Sequence, residues 1–115
     1  MKKIDVWTDR TVNAGRVGIH CNSNTVIRIT EGGACRVSLF GNVIYCIGGD
    51  GTHYFTMAGW NSTTTRARLN ALLYRFNMRV YCRGGVAYLE GANFTARPID
   101  KCARYKIKAG DVVKI

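Results

Sequence analysis

The sequence predicts one small α+β domain over residues 1–115: a mostly antiparallel, single-layer β-sheet built from hairpins, with one amphipathic helix packed on it. Two observations support this prediction. Thirteen glycines separate short stretches rich in apolar residues, which is typical of strands joined by tight turns. Helical periodicity is confined to one segment, about residues 62–76. The 47% hydrophobic content also argues against intrinsic disorder.

The first part of the chain is interpreted as short strands. Residues 4–8 form the first strand candidate. Residues 16–21 and 25–30 form a second pair of strands around the turn-like sequence Asn22-Ser23-Asn24. The next residues, Glu31-Gly32-Gly33, close this unit.

The clearest hairpin covers residues 35–47 and turns at Gly41-Asn42, a pair suited to a tight two-residue turn. This turn places Phe40 opposite Val43, and Val37 opposite Cys46. One face of the hairpin then carries only apolar side chains: Cys35, Val37, Leu39, Ile44 and Cys46. The two cysteines are diagonal neighbours in this pairing, which disfavours a disulfide between them.

The helix is predicted at residues 62–76 because four apolar residues recur with the spacing of one helical face: Leu69, Leu72, Leu73 and Phe76. Three consecutive residues at its start are competent N-caps: Asn61, Ser62 and Thr63. We expect the apolar face to be buried against the sheet.

A second tight hairpin follows the helix. Residues 79–83 and 86–90 flank Gly84-Gly85, and pairing Arg83 with Val86 places Tyr81 opposite Tyr88. Further along, residues 103–108 alternate basic residues with Tyr105 and Ile107, as a half-exposed strand does. The basic residues of that strand are Arg104, Lys106 and Lys108.

Charge is the strongest global indication of function. Lys and Arg number 17 against 7 acids, a formal net charge of +10, and eleven of the 17 are arginines. Guanidinium groups suit bidentate contact with phosphate. We therefore expect a polyanionic partner, with nucleic acid favoured over a nucleotide. The alternative is a basic surface that only keeps the protein soluble.

The predicted binding surface runs along the helix and into the hairpin that follows it. Arg68, Arg75 and Arg79 return near one side of a helix at spacings of seven and eleven residues, which places them at its exposed rim. Aromatic rings next to cations suit unpaired bases. The predicted nucleic-acid-binding residues are Arg66, Arg68, Arg75, Arg79, Arg83, Tyr81 and Tyr88. The alternative is a solvated face beside an ordinary cross-strand tyrosine pair. A rival patch is formed by Arg104, Lys106 and Lys108.

The sequence predicts no cofactor, metal site or catalytic residue. Five cysteines, at positions 21, 35, 46, 82 and 102, form no Cys-x-x-Cys pair. Asp5 is an acidic residue where a signal peptide needs an apolar stretch, so we expect a cytoplasmic protein. Its cysteines are then expected to be reduced, with at least three of them buried. No apolar run is long enough to predict contact with a membrane. A small enzyme that uses His53 opposite Cys46 is the least favoured alternative, because no orienting acid accompanies the pair.

Two motifs resemble small proteins of tailed bacteriophages. Leu39-Phe40-Gly41-Asn42 provides a short hairpin, and Gly59-Trp60 precedes a Thr-Thr-x-x-Arg-Leu-Asn-x-Leu segment at residues 64–72. The resemblance implies an uncharacterised family of phage accessory proteins that act in the cytoplasm of the infected bacterium. Small phage accessory proteins often bind and disable host-defence components, and this resemblance brings no catalytic residues with it.

The expected function is therefore that of a non-enzymatic phage accessory or counter-defence protein, which binds a polyanion through an arginine-rich surface. The alternative is an inhibitor that binds a host bacterial protein of defence or metabolism. A homodimer remains open in both cases.

Overall fold

Residues 3–108 and 110–115 are described by a computed structural model, with two α-helices, one 3₁₀ turn and ten strands in that range. The helices are α1 (Lys3–Ala14) and α2 (Thr63–Leu73), and the 3₁₀ turn Tyr74–Phe76 continues α2. The strands are β1 (Gly18–Asn22), β2 (Thr25–Ile29), β3 (Cys35–Leu39), β4 (Asn42–Ile47), β5 (His53–Thr56), β6 (Met78–Arg83), β7 (Val86–Gly91), β8 (Phe94–Pro98), β9 (Arg104–Lys108) and β10 (Asp111–Lys114).

The strands form two antiparallel sheets. The large sheet has seven strands in the order β1-β2-β3-β4-β5-β9-β10, and the small sheet has the order β6-β7-β8. The chain leaves the large sheet after β5, builds α2 and the small sheet, and returns as β9 beside β5. The predicted α+β class and antiparallel pairing are confirmed. The expectation of a single sheet is wrong, because the hairpin after α2 pairs with β8 rather than with the other strands.

Both sheets and both helices contribute to one hydrophobic core. Alternate residues of the large sheet point inward, among them Ile27, Val37, Tyr45 and Phe55. The inward residues of α2 are Leu69, Leu72 and Leu73, and those of the small sheet include Met78, Val80 and Leu89. The predicted apolar face of α2 is thus buried at three of its four positions. The fourth, Phe76, is half-buried in the 3₁₀ turn.

Capping residues define the start of α2 and the end of the 3₁₀ turn that continues it. The Ser62 hydroxyl accepts a hydrogen bond from the Thr65 backbone N–H at 3.2 Å, so Ser62 is the N-cap among the three predicted candidates. The 3₁₀ turn ends at Asn77, whose φ of 57° is left-handed. Within α2, the Asn70 amide bonds the backbone N–H and the carbonyl of Val80 at 2.7 and 2.9 Å. These bonds attach the helix to the small sheet.

Residues 4–8, predicted as a strand, lie in α1 instead. Their buried positions, Asp5 and Thr8, continue to Val12, which is the spacing of one helical face. Two of these three inward residues are polar, so the apolar periodicity is too weak to indicate a helix. The Thr8 hydroxyl donates to the Ile4 carbonyl at 2.9 Å, and Asp5 pairs with an arginine of α2.

The β3–β4 hairpin differs from the predicted pairing by a shifted turn and a bulge. The turn residues are Phe40 and Gly41, with φ of 49° and 82°, and Leu39 pairs with Asn42. A bulge at Ile44 then brings Tyr45, rather than Cys46, opposite Val37. Cys46 consequently belongs to the outer face of the large sheet.

The five cysteines are free thiols, but the expectation that at least three are buried is wrong. Cys35 is buried and Cys46 is half-buried, while the other three are exposed: Cys21, Cys82 and Cys102. The three exposed thiols lie on the edge strand β1, near the end of β6 and in the loop before β9, and they do not belong to the hydrophobic core of the described residues.

Candidate nucleic-acid interface

Strand register places seven residues side by side across the outer face of the large sheet, one from each strand. We call this set the outer row: Ile19, Arg28, Arg36, Cys46, Tyr54, Lys106 and Val113. Each member is the direct partner of the next, so neighbours are separated by the strand spacing of about 4.8 Å. The members alternate along their strands with buried residues such as Ile27 and Phe55.

The outer row is rich in cations. Arg28 and Arg36 lie directly opposite each other and are exposed, while Lys106 lies beside Tyr54 on β9. Arg104 and Lys108 are the next outward residues of β9 on either side of Lys106. In residues 3–108 and 110–115, none of these five cations forms an ion pair with a carboxylate.

One carboxylate, Asp50, lies in the loop between β4 and β5. Its pKa is lowered mainly by a hydrogen bond from the Thr52 backbone N–H, with smaller contributions that include the charge of Lys106. Residues 48–52 form the turn between β4 and β5, as expected for a sequence rich in glycine and aspartate.

A cleft of about 300 Å³ opens in this face at the β4 bulge. Ile44 and Tyr45 both turn inward there, so the outward side chains of β4 on either side of the gap are Val43 and Cys46. The polar wall comes from the neighbouring strands: Arg36, Tyr54, Thr56 and Arg104. The polar wall of the cleft therefore combines one tyrosine and one threonine with two arginines.

A second groove, of about 480 Å³, lies at the end of the sheet near the start of α2. Its floor is formed by the inward-facing residues Leu39, Ile44 and Met57, so it lies on the other side of β4 from the cleft. Phe40 and Trp60 also border this groove, and these rings are 71% and 64% exposed. On the other side lie hydroxyl groups from the start of α2: Ser62, Thr64 and Thr65.

Two of the predicted binding arginines are engaged by acids of α1. Arg68 is buried and donates to Asp5 and, at 3.0 Å, to the Thr25 hydroxyl. Arg75 is half-buried and donates to Asp9 at 2.9 Å. The expectation that Arg68 lies at an exposed rim is wrong, because α1 packs against that side of α2 and supplies the carboxylates.

The other predicted residues lie on or beside the small sheet. Tyr81 and Tyr88 stack with ring centroids 5.6 Å apart, as the predicted pairing requires. Arg79 bonds Glu90 and lies 5.1 Å from the centre of the Tyr81 ring, and Arg83 is exposed.

Arg66 reaches the same hairpin indirectly. It donates to the Asn61 amide oxygen, and the Asn61 nitrogen donates to the Gly85 carbonyl at 3.3 Å. The structure therefore groups Arg66 with the β6–β7 hairpin and separates Arg68 and Arg75 from it.

The rival patch has the predicted geometry and is larger than the sequence indicated. β9 exposes Arg104 and Lys108 and half-buries Lys106, and the register adds Arg28 and Arg36 to the same face. The position of Arg28 and Arg36 could be predicted from the sequence, because a β2–β3 hairpin with its turn at residues 30–34 places them opposite each other. The pairing of β5 with β9 could not be predicted in this way, because the two strands are far apart in the chain.

The Cys46–His53 pair considered for catalysis does not form. His53 lies opposite Ile47, and its Nδ1 shares a hydrogen bond with the Tyr45 hydroxyl at 2.7 Å. Burial raises the pKa of Tyr45, so the hydroxyl keeps its proton. Burial, and to a smaller extent Arg75, lower the pKa of His53, so the ring is neutral near pH 7. This contact links two strands in the interior.

Comparison with known proteins defines the family. Residues 1–109 match the family model described as Kyanoviridae Gp96 protein. This chain belongs to that family. The Gp96 match covers nearly the whole chain, and it confirms that this is a phage protein, as the resemblance implied. No curated protein and no solved structure matches the chain. None of the helices in the described residues is long and apolar enough to cross a membrane.

Proposed function

We propose that this Gp96-family protein is a non-enzymatic nucleic-acid-binding protein that uses the outer face of its large sheet. One observation carries the proposal: Arg28 and Arg36 face each other directly, and neither has an acidic partner among the described residues. Like charges directly opposite on adjacent strands destabilise a sheet. A polyanion that contacts both guanidinium groups removes this repulsion and gains two charge-assisted contacts.

The spread of the cations favours a polynucleotide over a single nucleotide. Arg28 and Lys106 are four strands apart, roughly 19 Å at the usual strand spacing. A single nucleotide fills only the cleft between Arg36 and Arg104. A polynucleotide, which has a phosphate at every nucleotide, can contact the whole outer row. Each phosphate that is neutralised releases counterions.

The phage family and the charge together suggest an action in the cytoplasm of the infected host, on phage or host nucleic acid. A host protein with an acidic surface is the other partner that suits a basic face. The two differ in salt response, because counterion release makes nucleic-acid binding strongly dependent on salt.

The test compares two triple variants of equal charge. Arg28→Gln with Arg36→Gln and Lys106→Gln removes the cations of the outer row. Arg10→Gln with Arg16→Gln and Lys101→Gln removes three exposed cations elsewhere. Each lowers the formal net charge by three, from +10 to +7. Affinity for labelled single-stranded and duplex oligonucleotides is measured by fluorescence anisotropy over a range of salt concentrations.

We expect the outer-row variant to lose affinity and to flatten the slope of log K against log salt by about two to three. The control variant keeps a slope close to that of the wild type. Equal losses in both variants overturn the assignment to this face, since net charge alone then explains binding. A loss found only in Arg83→Gln with Tyr88→Ala moves the site to the small sheet.

The proposal fails if no oligonucleotide binds at low salt. In that case, a salt-insensitive complex with one host protein in nuclease-treated bacterial lysate supports the inhibitor function. Circular dichroism of each variant checks that the fold is retained. Retention is expected because five of the six substituted side chains are exposed, and the sixth, Lys106, is half-buried on the outer face.

A further inference from the structure

Two large aromatic side chains next to the cleft are exposed, unlike the rings that pack in the core. Phe40 and Trp60 are 71% and 64% exposed, whereas Phe55 is 1% exposed. Phe40 also has a positive φ of 49°, a conformation that bulky residues rarely adopt. The two-residue turn between β3 and β4 requires a positive φ at this position. Here the turn presents the Phe40 ring to solvent beside a groove.

This groove opens at the same end of the large sheet as the cleft that contains Arg36 and Arg104. Asn42 lines the groove and the next residue of β4, Val43, lines the cleft. Among the residues that the structure describes, no acidic side chain lines either depression, and the first turn of α2 beside the groove also has none. A helix N-terminus without acids carries an uncompensated positive dipole, which suits a nearby phosphate. The electrostatics thus allow a polyanion to pass from the outer row towards the two rings.

We infer that the groove between Phe40 and Trp60 takes unpaired bases of a single strand whose phosphates lie along the outer row. This inference rests on the proposed function and adds a preference for single-stranded over duplex nucleic acid. Exposed rings beside a basic track form the usual platform for single strands, because every base offers a π-face and stacking needs no particular sequence. A duplex keeps its bases stacked inside and can use only the cations.

Fluorescence of Trp60 provides a direct probe of stacking. The chain contains two tryptophans, so Trp7→Phe leaves Trp60 as the sole tryptophan. We expect an oligothymidylate to quench Trp60 saturably, and a duplex of the same length to bind without comparable quenching. If the fluorescence of Trp60 is not quenched at a saturating concentration of the single strand, the inference is overturned.

Affinity provides the second measurement. Phe40→Ala and Trp60→Ala are each expected to weaken single-strand binding by about tenfold, with duplex affinity within about twofold of the wild type. Phe40→Asn is a second variant at the turn, because asparagine accepts a positive φ and so preserves the backbone. Tyr88→Ala is the matched aromatic truncation on the small sheet, and we expect it to leave single-strand affinity unchanged.

The two proposals fail in different ways. Unchanged single-strand affinity in the Phe40 and Trp60 variants, with duplex binding still lost in the outer-row variant, overturns this inference alone. A single-strand preference that disappears with Tyr88→Ala instead places the stacking site on the small sheet and also overturns it. Absence of binding to any oligonucleotide overturns the proposed function as well.

Discussion

Arg68 and Asp5 form a buried ion pair that joins the two helices of the protein. The residues are 63 positions apart in the chain, and their side chains are only 5% and 6% exposed. The Arg68 Nε also donates to the Thr25 hydroxyl at 3.0 Å, so the guanidinium contacts α1 and β2 at once. Sequence periodicity assigned this arginine to the surface, and the fold uses it as an internal connection.

Removal of one member of this pair is expected to destabilise the protein strongly. Asp5→Asn leaves the buried Arg68 charge without its carboxylate and lowers the free energy of unfolding by about 3–5 kcal/mol. Glu90→Gln, which breaks the exposed Arg79–Glu90 pair, costs at most about 1 kcal/mol. Urea unfolding followed by circular dichroism measures both, and equal losses contradict the prediction. Replacing both partners, with Asp5→Leu and Arg68→Met, is expected to restore much of the stability.

The packing of α2 on the core makes a separate prediction. Leu72 is fully buried, so Leu72→Ala leaves a cavity and is expected to cost about 2–5 kcal/mol. Val113→Ala removes methyl groups from an exposed side chain and is the matched control, with an expected change below about 0.5 kcal/mol. Thermal unfolding is the measurement, and a melting temperature close to that of the wild type for Leu72→Ala contradicts the packing.

His53 gives the fold a dependence on pH. Its pKa in the folded protein lies below the ordinary value of 6.5, first because of burial and second because of Arg75. The unfolded chain therefore binds more protons in the window below 6.5, and the free energy of unfolding falls as pH drops through the folded-state pKa. His53→Gln is expected to reduce this loss between about pH 7.5 and pH 5.5. Urea unfolding at the two pH values tests it, with His20→Gln as control. An equal pH dependence in wild type and His53→Gln refutes the prediction.

Cysteine reactivity reports burial and the proposed interface together. Burial, followed by the nearby Cys46, raises the pKa of Cys35 to about 11, so this thiol is expected to react last with an alkylating reagent. Cys21, Cys82 and Cys102 are exposed and react first. Mass spectrometry of timed reactions gives the order, and rapid labelling of Cys35 contradicts it. Bound nucleic acid is expected to protect Cys46, which lies in the outer row, and to leave Cys82 reactive.

Local patterns in the sequence determined several elements of this protein. The leucine spacing of α2, its hydroxyl cap at Ser62 and the Gly84-Gly85 turn that stacks Tyr81 on Tyr88 all depend on residues close in the chain. The alternation of β9 and the formal net charge of +10 are likewise visible without a structure. Each is a short-range property, since helix caps, two-residue turns and strand alternation are set by neighbouring residues.

Tertiary structure alone decided which arginines are available to a ligand. α1, whose inward face is largely polar, brings Asp5 and Asp9 to Arg68 and Arg75, so both of these predicted residues are paired with carboxylates. The return of β9 beside β5 aligns Lys106 with Arg28 and Arg36 across the outer face. Ion pairing in the interior and the pairing of distant strands both depend on contacts between parts of the chain that no local pattern relates. The sequence therefore determined how many cations the protein has, and the fold determined where they remain free.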